Sequence, residues 1–112
     1  MRIITHAMLE FTNSAAVRIE GAGPDNVALN NMPLFHIGGL NVTALPSLWV
    51  GGTCVIMRLF DPGATLAALN NPDLNINIMF MVPAAYNAMR AHPDVEATDF
   101  SRINIALCGA ET

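Results

Sequence analysis

The sequence predicts an α/β fold, a parallel sheet of about four strands with helices on both faces, and three observations carry the prediction. Four short apolar runs begin near residues 27, 53, 76 and 103, and a helical segment fills each gap between them. The runs from 53 and 76 lack polar alternation, as strands covered on both faces do. Gaps of roughly two dozen residues are also long enough for the crossovers that parallel neighbours need, which are right-handed almost without exception. The whole chain, residues 1–112, reads as one partial α/β subdomain.

Thr5 is placed to cap a first helix, with Met8, Phe11, Ala15 and Ile19 on its apolar face and Gly21 as its stop. After a Gly-Pro-Asp loop, Val27 to Leu29 reads as a strand running on into Met32-Pro33-Leu34-Phe35. Ile37 to Trp49 is apolar almost all round, which predicts a buried helix kinked or shortened by Pro46 and ended by Gly51-Gly52. Thr53 to Leu59 is the second strand. Asp61-Pro62 opens a helix, Asp as cap and Pro in its first turn, with Leu66 and Leu69 inward and Asn70-Asn71-Pro72 as its end. Ile76 to Val82 is the third strand, Pro83 starts a helix that ends before Pro93, Thr98 to Ser101 forms at most one turn, and Ile103 to Leu107 is the last strand.

Hydrophobic residues make up 53% of the chain and charged residues 12%, against roughly 25% in an ordinary soluble protein. A surface so poor in charge predicts that much of it is covered by more polypeptide or by another subunit, a homo-oligomer through apolar faces included. Five arginines, no lysine and a net charge of −4 leave no basic stripe for nucleic acid. From Asn26 to Met57 there is no Asp, Glu, Lys or Arg, but Asn, Pro and Gly-Gly breakers cut the stretch into pieces too short to span a membrane. The first residues lack the apolar run of a secretory signal, so the expected location is cytoplasmic. Cys54 and Cys108 sit in apolar runs and read as buried small hydrophobes, without the spacing of a metal site.

The segment Pro33-Leu34-Phe35-His36-Ile37-Gly38-Gly39 resembles a core motif of the adenylate-forming (AMP-binding) superfamily, which includes the acyl-CoA synthetases and fatty-acid–CoA ligases. Further matches keep that family's order: Thr5-His6, Leu45-Pro46, Gly51-Gly52-Thr53, Phe60-Asp61-Pro62, Val82-Pro83 with Tyr86, and Gly109-Ala110-Glu111. Each short motif is weak by itself; their joint order from Ile3 to Glu111 is specific.

The resemblance implies a reaction in which a carboxylic acid, fatty acids among them, is joined to AMP from MgATP and then passed to the thiol of CoA. It places His36, Gly38, Gly39 and Tyr86 at the acyl pocket, and Gly109, Ala110 and Glu111 at the nucleotide. None of these is an acid, base or nucleophile in the family. It also implies that the phosphate-binding loop precedes Ile3, and that the magnesium-holding Glu, the ribose-binding Asp and the catalytic Lys follow Thr112. The 112 residues are therefore expected to be an inactive internal fragment with no cofactor bound, ATP, Mg2+ and CoA belonging to the parent enzyme.

Blander readings stand beside these. His36 next to Gly-Gly can be a cap; His6 and His92 fall near helix ends, solvated and without an acidic partner. Gly21-Ala22-Gly23 follows a helix and reads as a turn, not a dinucleotide loop. Met79, Met81 and Met89 read as core filler, and Asp94, Glu96 and Asp99 as a wet loop. The rival functions are a free-standing small-ligand or nucleotide-binding module and a structural, self-associating truncation product.

Overall fold

The computed structural model describes residues 3–20 and 23–109. The elements run α1 (His6–Glu20), β1 (Val27–Asn30), α2 (Ile37–Asn41), α3 (Ala44–Trp49), β2 (Thr53–Ile56), α4 (Pro62–Asn70), β3 (Ile78–Met81), α5 (Pro83–Arg90), a 3₁₀ turn (Pro93–Ala97) and β4 (Ile105–Cys108). All strand pairs are parallel, in the order β2-β1-β3-β4. The predicted α/β class and strand number hold.

Strand alternation sends successive side chains to opposite faces. Leu29, Met79 and Met81 point to one face, where they form the core with Leu66 and Leu69 of α4 and Ala85 and Met89 of α5. Burying each Leu or Met contributes about 1.5–3 kcal/mol, so this face carries most of the hydrophobic stabilisation. Ala28, Ile78 and Phe80 point the other way, toward α2 and α3, whose inward residues are the small Gly38, Gly39, Ala44 and Ser47. These helices therefore sit close to the sheet. The side chain of Asn26 spans that contact, its Nδ2 donating to Ser47 Oγ at 3.4 Å.

Local chemistry explains the boundaries. Thr5 Oγ1 accepts from Met8 N–H at 3.2 Å, and Asp61 Oδ1 from Ala64 N–H at 2.7 Å, so both predicted caps form. Where one kinked helix was expected over Ile37 to Trp49, the chain makes two, breaking at Val42-Thr43. Pro46 lies in the first turn of α3, where an amide has no intrahelical partner to lose. The one-turn expectation at Thr98 to Ser101 moves upstream, to Pro93–Ala97, because Pro93 supplies the helical φ and His92 caps it, Nδ1 accepting from Asp94 N–H at 3.2 Å. Asp94 Oδ2 lies 3.8 Å from that same Nδ1, which accepts from the Asp94 amide and so has no proton to give the carboxylate.

Burial departs from expectation at the margins. Of the predicted inner face of α1, Met8 and Ala15 are exposed and Phe11 is 81% exposed; the Ile19 side chain and the Gly21 stop lie outside the described residues. Only β3 is buried at all four positions, since β2 and β4 are sheet edges; β2 stops short of the predicted Leu59, and β4 starts two residues later than predicted and runs one further, to Cys108. Cys54 is accordingly half-buried and Cys108 exposed. Among the described residues no helix is long and apolar enough to cross a membrane.

Two asparagines tie the sheet to its loops. Asn77 extends the ladder at the strand starts: its Oδ1 accepts from Val27 N–H at 3.0 Å, and its Nδ2 donates to Asp25 O at 2.9 Å. Asn30, 3% exposed at the end of β1, donates from Nδ2 to Gly39 O at 2.7 Å and accepts at Oδ1 from Met32 N–H at 3.2 Å. Replacing Asn30 with Ala leaves the Gly39 carbonyl and the Met32 amide without these partners. The substitution should lower stability by about 1–3 kcal/mol. A urea midpoint shifted at constant slope, read from the single tryptophan Trp49, checks it.

Candidate functional site

In an open parallel sheet, ligands bind beyond the carboxyl ends of the strands, at the point where successive crossovers leave to opposite faces. Here that point lies between β1 and β3. The chain leaving β1 turns to α2 on one face, whereas the chain leaving β3 turns to α5 on the other. Between them is a cavity of about 160 Å³, with Pro33, His36, Gly38, Gly39, Phe80 and Val82 among its walls. A more open, apolar groove of about 390 Å³ adjoins it between α1 and α2, lined by Ile4, Met8 and Ile37, and His36 and Gly38 border both.

His36 caps α2. Its backbone is extended, and its Nδ1 accepts from Gly38 N–H at 3.0 Å. An accepting Nδ1 carries no proton, so the neutral ring holds its proton on Nε2, the nitrogen left to meet a ligand. The cap reading and the pocket reading of His36 are thus compatible. The bond that caps the helix also orients the ring.

The two glycines differ in what they permit. A Cβ on Gly38 would stand 3.3 Å from His36 Nδ1 and 3.6 Å from Phe80 Cε1, so the bare backbone keeps open the junction of cavity and groove. A Cβ on Gly39 would collide with the carbonyl of Pro33, which makes glycine a condition for the loop to lie against α2.

Tyr86 stands apart from this group. Its hydroxyl donates to the carbonyl of Leu107 in β4 at 2.8 Å, joining α5 to the edge strand. Burial pushes its pKa up to about 12, with the charge of a Cys108 thiolate adding to the effect. Gly109 follows β4, and a Cβ there would meet nothing within 4 Å. Ala110 and Glu111 lie outside the described residues.

Phe80 escaped the sequence reading. Its signal was available in strand parity: in a run whose odd positions, Met79 and Met81, fill the core, the even ones face the other layer. Those methionines do belong to the core, with Met89. Cys108, exposed at an edge, is not the embedded strand residue that was expected, while desolvation raises the Cys54 thiol pKa. The acidic loop is locally bonded: the Ser101 hydroxyl first, then its amide and the Arg102 charge, hold the Asp99 carboxyl below its ordinary pKa.

An open parallel sheet with an apolar crevice at its crossover reversal is the arrangement in which α/β domains bind ligands. The model of the family "AMP-binding enzyme" matches residues 3–112, and the chain belongs to that family. Feruloyl-CoA synthase of Amycolatopsis sp is 37% identical over 108 residues, covering 96% of this chain and 21% of the relative. 4-Coumarate–CoA ligase 3 of Oryza sativa subsp. japonica is 36% identical over 114 residues, with 96% and 20% covered. The chain thus spans about one fifth of the length of these relatives. In fold it is similar to ATP-bound MatB from Rhodopseudomonas palustris, with a TM-score of 0.83 at 21% identity over 96% of this chain and 20% of the other. The amide bond synthetase McbA from Marinactinospora thermotolerans gives a TM-score of 0.74 at 28% identity, with 90% and 20% covered.

Two outcomes test this geometry. Gly39→Ala should destabilise the chain by about 1–3 kcal/mol through overpacking, read as a lowered urea midpoint. Tyr86 is the sole tyrosine, so absorbance of tyrosinate reports it alone. In the folded chain it should ionise near pH 12, against about 10 when unfolded. Because the folded value is the higher, its contribution to stability is complete below about pH 10 and falls away from there to about pH 12.

Proposed function

We propose that this chain forms one wall of the active cleft of an ATP-dependent acid–CoA ligase. The carrying observation is the cavity at the crossover reversal, bordered by His36, Gly38 and Gly39 and floored by Phe80. In this reading the apolar body of a carboxylic acid lies across the cavity and groove, and the backbone after β4, Gly109 with Ala110 and Glu111, borders the adenine. The carboxylate attacks the α-phosphorus of ATP, giving acyl-AMP and pyrophosphate. The CoA thiol then displaces AMP to form the thioester.

Relatives that act on feruloyl and coumaroyl groups favour an aryl-bearing acid over a long fatty chain. The His36 ring, fixed by its cap, and Phe80 offer flat surfaces for such a body.

The chain's own residues bind and orient; they do not supply the charge that phosphoryl chemistry needs. Among the described residues no three His, Cys, Asp or Glu converge, and Asp61 and Asp99 are already committed to capping and loop bonds. They do not fit a magnesium shell, so no step is assigned to that ion here. With no lysine in the sequence and Arg102 tied to Leu69 O and Asp99, the 112 residues alone are proposed to be inactive.

The expected outcome is that this polypeptide alone forms no acyl-AMP from ATP and a panel of aryl and alkyl acids. In the longer ligase that carries these residues, Gly38→Leu should raise KM for the acid about tenfold or more while KM for ATP stays put, since only the acyl space is filled. Turnover by the isolated chain, or a change confined to ATP, would refute the reading.

A further inference from the structure

We infer that Tyr86 is a positioning residue for the nucleotide side of the cleft, acting through the backbone of β4, and not a wall of the acyl pocket. The inference rests on the assignment of the segment after β4 to the adenine, proposed above.

β4 is a sheet edge held by β3 along one side, its last register pair being Met81 with Cys108. Before the strand, the loop is anchored to the end of α4: Asn70 Oδ1 accepts from Asp99 N–H at 2.8 Å, and Arg102 Nη2 donates to Leu69 O at 3.2 Å. At its far end the ladder stops, and Gly109 has nothing near the Cβ direction to set its course. The cross-layer tie at this end is the Tyr86 hydroxyl on the Leu107 carbonyl, two residues before Gly109. α5, which carries Tyr86, is fixed in the core by Ala85 and Met89 on the adjacent positions of the same helix. The hydroxyl thus transmits the position of the core to the strand end. Its raised ionisation keeps it a donor throughout the pH range in which enzymes work.

Tyr86 also borders neither the cavity nor the groove that meets His36. A change at Tyr86 should therefore be felt by the nucleotide and not by the acid.

The test uses the ligase that carries these residues. Tyr86→Phe should weaken AMP binding in calorimetric titration, and raise KM for ATP, about fivefold or more, with KM for the acid within about twofold of the parent. Ile103→Val, which trims the core just before β4 without touching the hydroxyl, should lower the thermal midpoint yet leave both constants unchanged. In the unaltered protein, AMP should slow amide exchange from Leu107 to Gly109, a readout that holds even if Tyr86→Phe folds poorly. Equal losses for acid and nucleotide, or an unchanged AMP affinity in the Phe variant, would overturn the inference while leaving the ligase reading intact; no protection at the strand end in a protein that binds AMP would overturn the inference together with the adenine assignment on which it rests. An unaltered protein that neither binds AMP nor adenylates any acid would sink both.

Discussion

The crevice depends on one buried amide. Asn30 ends β1 facing α2, where an apolar residue would leave two backbone groups without partners, and its side chain instead closes a bond to each side of the loop that follows. Held between the Met32 amide and the Gly39 carbonyl, the loop from Asn31 to His36 has little freedom, and the absence of a Cβ at Gly39 lets it lie directly on the helix. The His36 ring is then set by its own bond to Gly38 N–H. Sheet, loop, helix start and imidazole are thus linked in series, each positioned by the one before. A small polar residue at a strand end does more here than the large side chains around it.

The two faces of the sheet divide the labour. The α4/α5 face is filled by Leu and Met and supplies cohesion; the α2/α3 face is thin, made of Gly, Ala and Ser, and supplies close approach and empty volume. Binding pockets need space that the fold does not collapse, and a layer of small residues over Phe80 and Ile78 provides it without leaving a void in the main core. Phe80 belongs to the cavity because its neighbours Met79 and Met81 belong to the core.

The fold was legible in the sequence because its signals are local and redundant: four apolar runs, breakers between them, and Asp-Pro or Pro starts to the later helices. The strand assignments survive with shifted ends, β2 and β3 shorter than expected and β4 displaced to Ile105–Cys108, since a ladder lasts only as long as a partner lies beside it. Burial was less legible. Apolar composition says that a residue has somewhere to go, but not that its partner is in the same 112 residues, and Phe11, Phe35 and Leu59 all remain exposed. For the candidate site, the resemblance singled out His36, Gly38 and Gly39, which the fold brings together around one cavity. The bond of Tyr86 was not legible, because a hydroxyl reaching a backbone carbonyl 21 positions away leaves no pattern in the chain.

The exposed apolar residues and the distribution of charge bear on the same question. Phe35, 95% exposed, stands beside the crevice, and Ile4, Ile37 and Leu59 are also uncovered in a chain that spans about one fifth of its relatives. A polypeptide made to stand alone would place polar groups at such positions, since apolar area exposed in patches promotes association. The charges show a matching gap. Arg102 is spent on a loop, Arg58 lines a neighbouring groove that shares Met32, Pro33 and Phe35 with the crevice, and no Arg or Lys is among the described residues that line the crevice itself. A site that stabilises charge on phosphoryl oxygens gains most from cations held in a dry enclosure. In the proposed ligase, polypeptide covering the apolar rim would answer both at once, excluding water from the crevice and carrying charge to it from the same side.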